Sequence, residues 1–168
     1  VREYGAEYTV LTGGEPMIFK QVVELTTALK RIGQHITIET AGTVFEPVQC
    51  DLMSISPKLS NSTPSTRDSG RWADQHERLR WRPDVIRELM RYPYQLKFVL
   101  AEERDVEEVL EMIREVEGDP ARVVLMPLGT TPGEIAERGR WIAELCKKHH
   151  FRYSPRVHID LWGDRRGV

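Results

Sequence analysis

The sequence predicts an α/β chain in which strand–helix units repeat around a parallel sheet. Three observations carry that prediction. Short apolar runs alternate with longer amphipathic segments along the chain, the rhythm of βα units. A glycine corner, Thr12-Gly13-Gly14-Glu15-Pro16, joins the first apolar run directly to the first helical pattern. The last helical pattern opens on Thr131-Pro132-Gly133-Glu134, a capping box with proline at its first position.

The elements follow in order. Tyr8 to Leu11 reads as the first strand, and 17–32 as a helix with an apolar stripe at Ile18, Val22, Leu25, Leu29 and Ile32. Strands are expected at 36–39 and 52–55, then a helix at 83–92 and a strand at 96–100. The segment 104–117 places Val106, Val109, Leu110, Ile113 and Val116 on one face, so it reads as an outer helix covering a sheet. A strand at 123–126 and the helix at 132–148 complete the pattern. Beyond them, alternation at Val157, Ile159 and Leu161 suggests an extended tail. Residues 59–82 break the rhythm, with a polar, unpatterned run from Leu59 to Trp72 that reads either as a lid or as an insertion without a role.

Composition bounds the function. At 168 residues the chain fits one domain spanning 1–168 and is long enough to bury roughly 70% of its unfolded surface. A formal net charge of -2 offers no basic field for nucleic acid. No apolar run approaches the roughly 20 residues of a membrane span and no signal peptide opens the chain, so the expected compartment is the cytoplasm. Cys50 and Cys146 read as free thiols in a reducing compartment, with Cys146 on the apolar stripe of the last helix. His149 and His150 are adjacent on a helix and point apart, which argues against a metal site there.

Ligands of parallel α/β folds bind at the carboxyl ends of the strands. The loops there are 12–15, 40–43, 56–58, 101–103 and 127–131, and all but the acidic 101–103 are rich in Gly, Ser, Thr or Lys. In the first, two glycines let a ligand approach the backbone, and Glu15 offers an anionic acceptor beside free N–H groups. That polarity suits an amino-acid moiety, although a tight turn alone also calls for glycine. Ser56, Pro57 and Lys58 offer a hydroxyl and an ammonium, against the alternative of a solvated lysine at a proline turn. Glu39 and Thr40 end an apolar strand, where their polar groups are expected to face a site rather than the core. Lys97 lies opposite Leu96 and Phe98; inward it would meet an anion, and outward it would snorkel between helices.

The strand–Gly-Gly-Glu-Pro–helix corner resembles that of the radical S-adenosylmethionine (SAM) superfamily. The order Thr12-Gly13-Gly14-Glu15-Pro16, Glu39-Thr40-Ala41-Gly42-Thr43, Asp51-Leu52-Met53-Ser54-Ile55-Ser56-Pro57-Lys58, Gln95-Leu96-Lys97-Phe98-Val99 is similar to that of the 7-carboxy-7-deazaguanine synthases and covers almost all of the chain. The resemblance implies a partial (β/α) barrel and a lyase of queuosine-precursor synthesis. Such an enzyme converts 6-carboxy-5,6,7,8-tetrahydropterin to 7-carboxy-7-deazaguanine with SAM, a [4Fe–4S] cluster and Mg²⁺, and takes its electrons from a flavodoxin-like donor. By the same resemblance Gly14 and Glu15 hold the methionine end of SAM, and Ser56, Pro57 and Lys58 form a second SAM-contacting strand end. Met126, Pro127, Leu128 and Gly129 then flank the adenine, with Met126 standing where the family often has glutamine. Thr12, Glu39, Thr40 and the terminal Val168 are the expected substrate contacts, and no catalytic acid–base residue is expected within the chain.

One departure is plain. The superfamily holds its cluster in a Cys-x3-Cys-x2-Cys loop upstream of the Gly-Gly-Glu-Pro corner, and Cys50 and Cys146 have no such spacing. The expectation is therefore a C-terminal portion of the enzyme lacking the first strand, cluster loop and first helix, inactive alone, with an exposed sheet edge that favours a homodimer. Two other readings stay open: a radical-SAM activating enzyme that makes a glycyl radical on a protein partner, and a cluster-free relative that binds SAM or a nucleoside.

Overall fold

A computed structural model describes residues 5–63 and 71–165. Among them are six strands, β1 (Tyr8–Leu11), β2 (His35–Thr40), β3 (Leu52–Ile55), β4 (Tyr94–Leu100), β5 (Val123–Pro127) and β6 (Arg152–Tyr153). The helices are α1 (Val22–Arg31), α2 (Arg71–Leu79), α3 (Pro83–Leu89), α4 (Asp105–Glu115), α5 (Pro132–His149) and α6 (Val157–Trp162). The sheet order is β1-β2-β3-β4-β5-β6, with no reversal. A doubly wound sheet reverses at a switch point. Uninterrupted sequential order is instead that of a (β/α) barrel, open here, so the ligand end is the row of strand carboxyl ends.

The chain divides into two compact units, one running to Pro57 and resuming through α2, α3 and the start of β4 to Leu96, the other comprising Lys58–Thr63 and the chain from Lys97 onward. In the first unit β1, β2, β3 and β4 pair in parallel, with Leu11 opposite Ile38, Thr40 opposite Ile55, and Ile55 opposite Leu96. Period-two alternation then sorts the faces. Ile36, Ile38, Met53, Ile55 and Leu96 are buried on one face, against which α1 and α3 bring Val22, Leu29, Ile86 and Leu89. The other face carries a polar row, Glu39, Ser54 and Gln95, at matching register. Asp51 anchors the near end: it accepts the Ile36 backbone N–H at 2.7 Å and pairs with Lys30 Nζ at 2.8 and 2.9 Å.

In the second unit Val106, Val109, Met112 and Ile113 of α4 are buried, as the one-sided pattern predicts. Cys146 is buried too, and its thiol donates to the Arg152 carbonyl. α5 begins with the predicted capping box: the Thr131 hydroxyl accepts Glu134 N–H while the Glu134 carboxylate accepts Thr131 N–H.

Two expectations are corrected, and a third segment holds structure that its pattern did not show. The helix predicted at 17–32 is broken: a 3-10 turn over Pro16–Ile18 is separated from α1 by Phe19 and its neighbours, so Ile18 is 62% exposed and the buried stripe is Val22, Thr26 and Leu29. The tail is not extended through 157–161. A short β6 pairs with β5 one turn earlier, and 157–162 is a helix anchored by buried Ile159; a four-residue spacing between Val157 and Leu161 serves a helix as well as a strand. Residues 71–79, inside the predicted insertion, form α2, and Ser60–Ser62 a 3-10 turn; residues 64–70 of that segment and Val168 lie outside the described residues.

Candidate functional site

The Gly-Gly-Glu-Pro corner occupies the carboxyl end of β1. Gly13 and Gly14 are exposed, and a Cβ on either would meet no atom within 4 Å. Gly14 also needs no left-handed backbone. Packing and conformation thus leave its lack of a side chain unexplained. Ile18, Phe19 and Leu25 join the two glycines in lining a cleft of ≈ 530 Å³ beside the corner.

Glu15 departs from the simple picture of a free acceptor. Its side chain is only 8% exposed and its carboxylate accepts from the Thr40 hydroxyl at 2.8 Å, Ala41 N–H at 3.0 Å, the Thr43 hydroxyl at 3.3 Å and Met17 N–H at 3.4 Å. The chain itself consumes the acceptor. Thr40 is therefore 3% exposed and turned away from Glu39, as neighbours in a strand must be. Its oxygen in turn accepts Gly42 N–H at 2.9 Å. Gly42 is required twice over, by φ +77° and by a Cβ that would stand 2.9 Å from Ile86 Cγ1. The result is a joint of several hydrogen bonds between the β1 corner and the β2 loop, with Gly13 and Gly14 left exposed.

On the polar face the expected substrate residues Thr12 and Glu39 do meet: the Thr12 hydroxyl donates to Glu39 Oε2 at 3.3 Å. Ser54 and Gln95 extend that row, the Gln95 amide donating to Ser54 Oγ at 3.0 Å. Sequence reasoning named neither as a site residue, although their places one and two strands along from Glu39 follow from period-two alternation once the register is known. Ser56 hydrogen-bonds through its backbone N–H to the Thr40 carbonyl, Pro57 is buried, and Lys58 is exposed.

In the second unit the segment after β5 is fixed from behind. Arg138 of α5 donates to the Ala101 carbonyl at 3.1 Å and to the Leu128 carbonyl at 2.7 Å, and Leu128 N–H donates to Leu100. Gly129 packs so closely on α5 that a Cβ would lie 2.9 Å from Ile135 Cδ1. Met126 is half-buried, Pro127 and Gly129 are buried, and Leu128 is 41% exposed. The acidic loop after β4 is satisfied internally, because Asp105 accepts the N–H groups of Ala101 and Glu102 and the Asn61 amide.

The residues fit one implied cofactor and not the others. An open glycine corner with polar neighbours suits the amino-acid end of SAM. A [4Fe–4S] cluster needs thiolates. Burial, and then the nearby Asp51 carboxylate, push the Cys50 thiol up to about 11, while burial raises that of Cys146, and the two sit in different units. Among the described residues no group of three His, Cys, Asp or Glu side chains is placed to hold a metal, so Mg²⁺ has no evident seat there.

Comparison with known proteins agrees with the corner. No protein-family model matches the chain. Among curated proteins, the 7-carboxy-7-deazaguanine synthase of Halobacterium salinarum is 39% identical over 95% of this chain and 66% of its own length, and that of Rhodopirellula baltica 37% identical over 100% and 66%. The enzyme of the same name from Pyrobaculum aerophilum is 33% identical, covering 95% of this chain and 67% of the relative. The chain belongs to the 7-carboxy-7-deazaguanine synthase family. It spans just under two thirds of the length of the first two of these relatives. Among solved structures, that of Streptococcus suis SuiB superposes with TM-score 0.55 at 12% identity, covering 89% of this chain and 39% of that one, which concerns the fold alone. Within the 7-carboxy-7-deazaguanine synthase family, Thr12, Gly14, Glu15 and Glu39 are the residues this structure gathers at one strand end and its neighbour.

Proposed function

We propose that this chain is the SAM- and pterin-binding portion of a 7-carboxy-7-deazaguanine synthase, a lyase that converts 6-carboxy-5,6,7,8-tetrahydropterin to 7-carboxy-7-deazaguanine. The observation that carries the reading is identity of 39% over 95% of the chain with a protein of that name. The geometry supports it at the β1 end, where Gly14 leaves room for a ligand that the chain's own packing does not demand.

In this reading the backbone of Gly13 and Gly14 receives the methionine end of SAM, held in shape by Glu15 and Thr40. SAM, when bound, supplies the adenosyl group from which a hydrogen-abstracting radical is made; the chain's residues bind, orient and screen. Met126 to Gly129, braced by Arg138, present backbone groups to the adenine, and Ser56 with Lys58 contributes at the β3 end. Thr12 and Glu39, coupled by their hydrogen bond, face the pterin, and Val168 belongs to the same proposal. The Cys50 and Cys146 thiols do not fit a cluster. Electrons are expected from a flavodoxin-like donor. No helix among the described residues is long and apolar enough to cross a membrane.

The test is an anaerobic assay of the full-length natural protein, iron- and sulfide-reconstituted and reduced, with SAM and 6-carboxy-5,6,7,8-tetrahydropterin. Formation of 7-carboxy-7-deazaguanine with 5′-deoxyadenosine is the expected result. SAM cleavage without that product would move the assignment to another radical SAM reaction, and SAM binding without cleavage would leave a binding protein.

A further inference from the structure

The polar row on the sheet face opposite α1 and α3 ends in two side chains that the proposed function leaves unused. Gln95 lies opposite Ser54, Ser54 lies opposite Glu39, and the Thr12 hydroxyl donates to Glu39 Oε2. Thr12 also lines the cleft beside the glycine corner, so the row leads from that cleft across β2, β3 and β4 within one compact unit. Ser54 is only 1% exposed, and burying a hydroxyl is costly unless it is paired. The Gln95 amide N–H supplies the pairing, donating to Ser54 Oγ at 3.0 Å. An apolar pair of similar shape would fill the same strand positions at no loss of stability, so packing alone does not call for these two residues.

The pair aims the amide. With one N–H held by Ser54, the carbonyl oxygen of Gln95 faces away from that hydroxyl. Gln95 is half-buried, and its oxygen has no hydrogen-bond partner among the described residues and is not sealed from solvent. Glu39, also half-buried, stands two interstrand spacings away, about 10 Å at the backbone. Two long side chains that carry acceptor oxygens therefore flank the short Ser54. What such a row accepts is a ligand edge with several donors.

We propose that Gln95 determines specificity for the pyrimidine ring of the substrate, its carbonyl accepting from the 2-amino group, and that Ser54 is the positioning residue that keeps the amide from turning over. The inference rests on the function proposed above, which brings a 2-amino-4-oxopyrimidine ring, with its amino group beside a ring N–H, to this face. A site built to accept a particular N–H rejects an analogue lacking it, because its own acceptor is then left unmatched. The discriminating analogue is a lumazine, in which a carbonyl replaces that amino group. A fixed Gln95 carbonyl would face it oxygen to oxygen.

The experiment uses the full-length natural protein with 6-carboxypterin and 6-carboxylumazine, dissociation constants being measured by calorimetry for wild type, Q95M, Q95E and S54A, and melting curves recorded for each. The wild type should prefer the pterin. Q95M, which keeps the length of the side chain without its acceptor, should lose about tenfold of that preference. Q95E keeps an acceptor and offers no donor, so it should hold the preference or raise it. S54A should lose preference by gaining affinity for the lumazine, because an amide released from Ser54 can turn its N–H to the new carbonyl. Q95M and S54A proteins that melt lower yet keep the wild-type ratio would mark the pair as structural and overturn the assignment. Loss of the ratio in Q95E overturns it as well, and that variant decides the matter should Q95M fail to fold. A wild type that binds both compounds alike overturns it whatever the variants do. Failure of the wild type to bind SAM and either pteridine would instead remove the proposed function, and this inference with it.

Discussion

At the scale of single residues, Gly14 and Thr40 separate ligand approach from internal support. A Cβ at Gly14 meets no neighbour and the backbone there is ordinary, so Gly14→Ala should change stability by less than about 0.5 kcal/mol. It should nonetheless weaken SAM binding about tenfold or more, a loss of about 1.4 kcal/mol. Calorimetry beside thermal melts of the full-length protein checks both halves; unchanged affinity would return the glycine to the role of a turn. Thr40→Val has the opposite profile. It keeps the shape but removes the hydroxyl between Gly42 N–H and the buried Glu15 carboxylate, at a cost of about 1 to 3 kcal/mol. Denaturant titration should show that loss. The identity of Gly14 and Glu15 as a corner was legible in the sequence. That Glu15 spends its carboxylate on β2 was not, because the partners lie 25 to 28 residues away and nothing in a single sequence reports such pairing.

At the scale of elements, the start of β2 depends on a charge. Asp51 sits just ahead of β3, where the Lys30 ammonium and then the Ile36 N–H hold its carboxyl below the usual range. A folded-state pKa below the unfolded one adds stability that is complete above the unfolded value and is lost as pH falls through the folded one. Asp51→Asn should therefore destabilise by about 1 kcal/mol at neutral pH, a modest figure because both partners are about one third exposed. The gap between variant and wild type should close as pH drops below about 4. Melting curves across that range test the sign; a constant gap would mean that the amide fails for steric reasons. Element identity itself was largely readable. β1, β3 and the capped start of α5 fall where apolar runs and the capping box put them. The break after Ile18 and the helix at 157–162 did not, because each apolar spacing there fits two periods and only the packing of Val22 or Ile159 chooses between them.

At the scale of the whole molecule, β1 is the exposed margin. It pairs with β2 and with no second strand among the described residues, and Tyr8 and Val10 are 70% and 56% exposed. An unpaired apolar edge invites association, and a lysine on it opposes association. Sedimentation of the 168-residue chain should show concentration-dependent oligomers that Val10→Lys reduces; a monomer at all concentrations would overturn this. The sequence alone determined the βα rhythm, the corner, the order of the motif blocks and thereby the family, because these rest on local periodicity and on residues adjacent in the chain. Only the tertiary structure decided which face each polar residue occupies. The register of β2, β3 and β4 puts Glu39, Ser54 and Gln95 in one row and buries Thr40 behind them. A slip of one residue in any strand would reverse those assignments, and register is fixed by long-range packing that no short stretch of sequence contains.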